Sequence, residues 1–378
     1  MGLSKHKLGE LIELVEETNS KGEYGPKDTR GINNMKEMMK TKADLNGRDL
    51  SKFQIVRPGC FVFNHRTSRN GSKFSITYNY DAQPRIFTED YVVFRIKKDC
   101  DNMLLKEWLY MYFCRAEFDR YVITNSWGSS TEFYNWQDLC DVSIMLPPIE
   151  QQRKFVDVYL ALQNNLEAYQ SKVGELKLVC DGYLDQLKAK CEKVKMGDLV
   201  EAVDKRNSNL AYTGVQGINI NKEFFPTVAN IDNGSTQNYK IVEQNQLAFS
   251  GMQTGRDMCI RIALNEKSTP VIVSPAYTVL RIKDESSVLT HFIMLWFSRK
   301  QIDRYGWFAS DASIRSNLDL ERFLDVELPL PDISIQREIA NIHKCYLERQ
   351  RIAAQLKEQL NNLCPILIKG SLNTNIKH

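Results

Sequence analysis

The chain has 378 residues, 43% hydrophobic and 26% charged, which suffices for two or three domains with real cores and is ordinary for globular protein. No stretch approaches the ~18 consecutive apolar residues of a membrane span, and a formal net charge of +3 permits nucleic-acid binding without arguing for it. The nine cysteines form no C-x-x-C pair and the five histidines sit in no metal-ligand spacing, so a zinc site is not expected and a reduced cytoplasm is.

The N-terminal "MGLSKHKLGELIEL" has no apolar core and no small-residue cleavage site, so it does not read as a secretory signal. His6 stands where a myristoylation start needs Ser or Thr. "FQIVRPGCFVF" from Phe53 reads as strand, Pro-Gly turn, strand. "FSITYNY" from Phe74 and "YVVFRIK" from Tyr91 are further β-branched and aromatic strands. Met103 to Tyr121 reads as one amphipathic helix. Then "LPPIEQQRKF", Leu146 to Phe155, ends an extended stretch with two prolines placed where a helix start tolerates them.

A heptad seam follows the prolines. Phe155, Tyr159, Leu162, Leu166, Tyr169, Val173, Leu176, Cys180, Tyr183 and Leu187 recur at alternating spacings of four and three. The same punctuation returns as "LPDISIQREI" from Leu330, followed by Ile339, Ile342, Tyr346, Arg349, Ala353, Leu356, Leu360 and Leu363. Arg349 is the one polar interruption, and Pro365 is expected to end or kink this second helix.

The whole chain repeats itself. "LGELIEL" from Leu8 matches "MGDLVEA" from Met196, "GINNMKEM" from Gly31 matches "GININKEF" from Gly217, and "FQIVRPGCFVFN" matches "YKIVEQNQLAFS" from Tyr239. "YVVFRIK" matches "YTVLRIK" from Tyr277, and "YFCRAEFDRY" from Tyr112 matches "WFSRKQIDRY" from Trp296. The order is kept, and the period is far longer than the ~50 residues of a solenoid repeat. The reading is an α+β protein: two tandem α+β domains, each followed by a long helix. Two narrow seams in one chain most simply pair as an antiparallel coiled coil with pseudo-two-fold symmetry. At 1.5 Å per residue each helix is roughly 60 Å long, a strut with a globular domain at either end.

On these residues the chain resembles the specificity (S) subunit of type I restriction-modification systems, the HsdS family, and the resemblance covers essentially its whole length. The second joint departs slightly, Ser334-Ile335-Gln336 standing for Glu150-Gln151-Gln152. The resemblance implies target-recognition domains at 1–146 and 193–330, and spacer helices at 147–192 and 331–378. It implies a non-catalytic subunit that reads a bipartite, asymmetric site in double-stranded DNA. Two modification subunits that methylate adenine at N6, and up to two restriction subunits, would dock on it in the cytoplasm of a bacterium or archaeon. S-adenosylmethionine, ATP and Mg²⁺ would then belong to those partners and no cofactor to this chain. The sequence itself carries no methylase tetrapeptide and no GxxxxGK[ST] phosphate loop, and no catalytic or metal-ligating residues are assigned. The alternatives are the specificity subunit of a type IIB-like or orphan methylase system, or a coiled-coil adaptor without DNA binding.

Bases are read by Arg, Lys, Asn and Gln, and phosphates are gripped by basic and hydroxyl groups. In "NHRTSRNGSK" the candidates are Asn64, Arg66, Arg69, Asn70 and Lys73; in the matched "SGMQTGRD" they are Gln253 and Arg256. A second pair of loops, "NSWGSST" from Asn125 and "FASDASIR" from Phe308, adds Arg315, with Trp127 and Trp307 equally suited to a core. Taken singly, each residue fits a solvated loop as well as a DNA contact. Polar, glycine-bearing, Arg-containing loops at one position in both copies favour contact.

Overall fold

The structure is a computed structural model that describes residues 2–41, 43–67, 73–128, 132–227, 233–311 and 316–373. The chain divides into two units, residues 1–168 with 352–378, and residues 169–351, so each unit contains a stretch of both long helices.

The first half runs β1 (Ser4–Lys7), α1 (Leu8–Leu11), β2 (Ile12–Leu14), β3 (Arg30–Ile32), β4 (Met38–Lys40), β5 (Gln54–Val56), β6 (Phe61–Asn64), β7 (Ile76–Tyr78), β8 (Arg85–Phe87) and β9 (Tyr91–Ile96). Helices α2 (Lys106–Phe113), α3 (Ala116–Thr124) and α4 (Trp136–Cys140) follow, then β10 (Ser143–Leu146) and the long α5 (Ile149–Lys190). The second half repeats this as β11 (Lys193–Lys195), α6 (Met196–Leu199), β12 (Val200–Val203), β13 (Val215–Ile218), β14 (Phe224–Pro226), β15 (Lys240–Val242) and β16 (Leu247–Ser250). After the short α7 (Thr254–Asp257) come β17 (Arg261–Leu264), β18 (Val271–Val273), β19 (Thr278–Ile282), α8 (Thr290–Phe297), α9 (Lys300–Ala309), α10 (Leu320–Leu324), β20 (Glu327–Pro329) and α11 (Ile333–Ser371).

The sheets agree strand for strand. An antiparallel sheet in the order β2-β9-β6-β7 has its counterpart in β12-β19-β16-β17. The first strand of each half pairs with the last, β1 with β10 and β11 with β20. The second unit also joins β14-β13-β18-β15 into one sheet through a parallel β13–β18 pair. In the first unit that contact shrinks to a single parallel bridge, Thr29 to Ile86, leaving the pairs β3–β4 and β5–β8. The first core is dense in aromatic rings: Phe61 stacks on Phe94 and meets Phe113 edge-on. Such pairs add directional contacts to the area they bury.

The doubled Leu-Pro punctuation has a direct physical cause. Gln152, fully buried, accepts from the Leu105 N–H (2.9 Å) and donates to the carbonyls of Met103 (2.7 Å) and Pro147 (2.8 Å). Gln336, also fully buried, accepts from the Leu289 N–H (2.9 Å) and donates to the carbonyls of Ser287 (2.8 Å) and Pro331 (2.8 Å). One side chain therefore satisfies three backbone groups that the apolar surroundings would otherwise orphan.

The expected single helices over Met103–Tyr121 and its copy are each two. The break falls at Cys114–Arg115, where Arg115 turns extended at φ −74°, ψ 139°, and at the matching Arg299 at φ −81°, ψ 135°. The break lets two short faces point inward, Leu109 and Phe113 from one helix, Phe118 and Val122 from the next. Pro365 does not end α11, which continues to Ser371.

The long helices pack together, antiparallel within each unit. In the first, Gln151 donates to the Ser371 carbonyl (2.7 Å) and Phe155 lies against Gly370. In the second, Arg349 lies over the Tyr169 ring (5.4 Å), and Ile339 packs with Cys180, Leu184 and Leu187. The one polar residue in the seam is thus held by a cation–π contact. Tyr159, Leu166, Ile339 and Leu360 are buried; Phe155, Leu162, Tyr169, Val173, Leu176, Ile342, Tyr346 and Leu356 are half-buried. Among the described residues no helix is long and apolar enough to cross a membrane.

Replacing Gln152 or Gln336 by Ala should lower the urea midpoint of the protein, since each orphaned buried group costs about 1–3 kcal/mol. A midpoint equal to wild type in both variants would contradict the role given to these amides. Acid should also weaken the second unit. Burial first, then the Lys177 charge, push His343 from 6.5 to about 4, with Asp181 opposing and His291 adding. The unfolded chain takes up this proton below about 6.5 and the folded chain only near 4. Stability is therefore complete above about 6.5 and falls as pH drops to 4, by about 3 kcal/mol in all. In unfolding measured at pH 7 and pH 5, the His343→Leu variant should lose less stability than wild type.

Candidate nucleic-acid interface

Each unit carries a long connection at the same place, between β6 and β7 in the first and between β16 and β17, with α7 inside it, in the second. In each, a second loop runs beside it, the one that follows α3 or α9. In the first unit the Thr67 N–H donates to the Glu132 carbonyl (3.0 Å) and the Tyr134 N–H to the His65 carbonyl (2.8 Å). In the second, the Leu318 N–H donates to the Gly251 carbonyl (2.8 Å) and the Gly255 N–H to the Ser316 carbonyl (2.9 Å). The approach is so close at Gly251 that a Cβ there would lie 1.7 Å from the Leu318 oxygen. Glycine is required by contact at that position, not by flexibility.

An ion pair, buried in the first unit and partly buried in the second, anchors the return end of each loop. Lys36 bonds Asp119 (2.6 Å) and the Phe113 carbonyl (2.5 Å), while Asp119 accepts from the Phe74 N–H (3.0 Å). Lys222 bonds Asp303 (2.7 Å) and the Ile260 carbonyl (2.6 Å), and Asp303 accepts from the Ile260 N–H (3.0 Å). Both lysines adopt left-handed backbone, φ 61° and 64°, uncommon outside glycine. Their repetition marks the conformation as part of the fold. Sequence reasoning missed these four residues, although the Lys and Asp stand inside the matched segments.

The individual candidates are placed as follows. The Asn64 side chain accepts from the Arg66 N–H (2.9 Å), and Arg66 pairs with Asp90 (2.9 Å), which neutralises it. Lys73 is exposed. Gln253 has φ 60°, its N–H donates to the Asn317 side chain (3.0 Å), and its Oε1 accepts from Arg256 (2.8 Å). Arg256 also pairs with Asp257 (3.1 Å) yet leaves 63% of its side chain in solvent. Against the upward push of burial, Arg256 and Arg261 hold the Asp257 carboxyl below its usual range. Arg69, Asn70 and Arg315 lie outside the described residues.

The aromatic residues set aside as core candidates are exposed: Trp127 by 70% and Trp307 by 53%, with neighbouring Phe308 at 86%. Solvent-facing aromatic rings beside basic groups offer stacking surface as well as charge. The signal available in the sequence was the Gly and Ser flanking Trp127. His65 packs on Phe133 (5.3 Å), and burial holds its imidazole below the ordinary value. Among the described residues no group of three or more His, Cys, Asp or Glu is placed to hold a metal ion.

Residues 189–362 match the family model of the type I restriction modification DNA specificity domain. No curated protein matches the chain in sequence. The fold is similar to that of the type I restriction-modification S subunit from M. genitalium, 14% identical, with 99% of this chain and 96% of that one covered at a TM-score of 0.64. The HsdS subunit from Thermoanaerobacter tengcongensis aligns at 15% identity over 99% of this chain and 97% of that one, but its TM-score of 0.37 adds nothing to the assignment. Residues 189–362 thus match the specificity domain in sequence, and the first half of the chain repeats its sheet order, its joint glutamine and its Lys–Asp pair. Residues 189–362 therefore belong to the family of type I restriction modification DNA specificity domains, and the chain as a whole has the fold of a type I restriction-modification S subunit.

Proposed function

We propose that each unit reads one half of a bipartite DNA target through its two adjoining loops, and that the chain as a whole selects the sequence on which modification and restriction subunits act. The observation that carries this reading is the repeated loop pair. Its anchors are the same in both units, while its exposed residues differ: Lys73 and Trp127 in one, Arg256 in the other, with exposed Trp307 and Phe308 at the end of α9 leading into it. A constant scaffold with variable contact residues is what two recognition sites of different sequence require. The working boundaries of the recognition domains are 1–146 and 193–330, with 147–192 and 331–378 as spacer helices. S-adenosylmethionine, ATP and Mg²⁺ act on the partner subunits. Two modification subunits, with or without restriction subunits, complete the assembly.

Exchanging residues 1–146 for the matching domain of another family member should change one half of the methylated motif and leave the other. The measurement is genome-wide mapping of methylated adenine in cells that carry the exchanged chain and the modification subunit. A change in both halves would refute independent reading. Alanine at Lys73 or Arg256 should weaken DNA binding by the assembled complex and lower the log–log salt slope by about one each. Arg66→Ala should change the slope less, because Asp90 already neutralises that guanidinium. Equal slopes in all three variants and wild type would remove these loops from the interface.

A further inference from the structure

The two units differ at one matched arginine. Arg115 and Arg299 occupy the same place in "YFCRAEFDRY" and "WFSRKQIDRY". Arg299 is buried, 3% exposed, over the Trp296 ring (5.1 Å) and bonded to Asp185 on α5. Arg115 lies over the matched ring of Tyr112 (3.8 Å) and donates to the Tyr112 carbonyl (3.1 Å), but it is only half-buried. By the register that aligns Ile149 with Ile333, the residue of α11 matching Asp185 is Lys369. Where the second unit supplies a carboxylate, the first supplies a second cation.

The result is an open cationic site. Arg115 and Lys369 share a cleft of about 440 Å³ with Pro365, Ile366 and Leu372. Arg115 also borders a cleft of about 390 Å³ walled by Tyr112, Phe118, Tyr121 and Val142. Neither cation has a carboxylate partner among the described residues. The walls are largely apolar, and Ile366 is 62% exposed. Glu117 lines both clefts and Asp141 the smaller one, and these acids pair outward with Arg120 (3.8 Å) and Lys7 (2.9 Å). Two cations set beside apolar Pro365, Ile366 and Leu372 match one carboxylate on an apolar protein segment in both charge and walls, whereas a phosphodiester backbone has no apolar surface to cover Ile366.

We propose that this cleft receives an aspartate or glutamate, flanked by apolar residues, from a partner protein subunit. That carboxylate does in trans for Arg115 what Asp185 does within the chain for Arg299. The first unit is then completed only on assembly, and the two units present different surfaces to otherwise identical partners. This rests on the reading that the chain assembles with modification subunits.

The test uses the full chain with its modification subunit. Lys369→Asp supplies the missing carboxylate internally, so it should raise the thermal midpoint of the free chain and weaken assembly by about tenfold or more. Arg115→Ala and Lys369→Met should weaken assembly without that gain, and a circular dichroism spectrum matching wild type shows that they fold. Assembly affinity unchanged in all three variants overturns the proposal. So does a lower DNA salt slope with unchanged assembly, which would assign the cleft to phosphate. A wild-type chain that binds no modification subunit overturns the assembly reading and this proposal with it.

Discussion

The architecture depends on a single kind of contact, a buried glutamine amide at the start of each long helix. Gln152 and Gln336 each join three stretches of backbone: the proline joint, the segment before the α2 or α8 helix, and the first turn of α5 or α11. A glutamine can do this because its amide carries both acceptor and donors on one planar head. A hydrophobic residue of similar size would pack there but leave three polar groups dry. The contact fixes how each long helix leaves its recognition unit, and so what the adjoining α and β elements pack against.

A second constraint sits nearer the paired loops. The Lys36–Asp119 pair is nearly removed from solvent and the Lys222–Asp303 pair partly so, where an ion pair is tolerated only if its remaining donors and acceptors are met. They are met by backbone groups at the loop ends, so the cost of burying charge is offset by positioning the loop. The loops can then vary in sequence without moving. Exposed pairs show how loosely charge is specified elsewhere. Arg57 pairs with Glu17 in the first unit, and the matching positions hold Glu243 and Lys205, the same bridge with its signs exchanged. At such positions only the complementarity is kept, and each pair contributes little.

Duplication also leaves places where the copies part. The parallel β13–β18 pair of the second unit is a single bridge in the first. The acid that closes on Arg299 has a lysine at its counterpart. Departures of this kind are where one half of a repeat can take on a role the other lacks.

The sequence by itself determined the duplication, the α+β class, the two long helices and their seams. Each rests on periodicity or spacing that survives without contacts: Phe155 to Leu187 keep heptad steps, and the Leu-Pro joints stand in register. It also pointed to both loop pairs, the first by its clustered glycine and basic residues and the second by its place after the amphipathic segment and its divergence between the copies. Only the tertiary structure decided the rest. Arg66 reads as a free cation until Asp90, distant in sequence, is seen beside it. Trp127 and Trp307 suit a core equally by their apolarity, yet face solvent, Trp127 in the loop after α3 and Trp307 on the outer side of α9. The apolar run from Met103 reads as one helix, but packing two faces inward requires the break at Arg115. These outcomes turn on partners far apart along the chain, and spacing along a sequence carries no record of which of them meet.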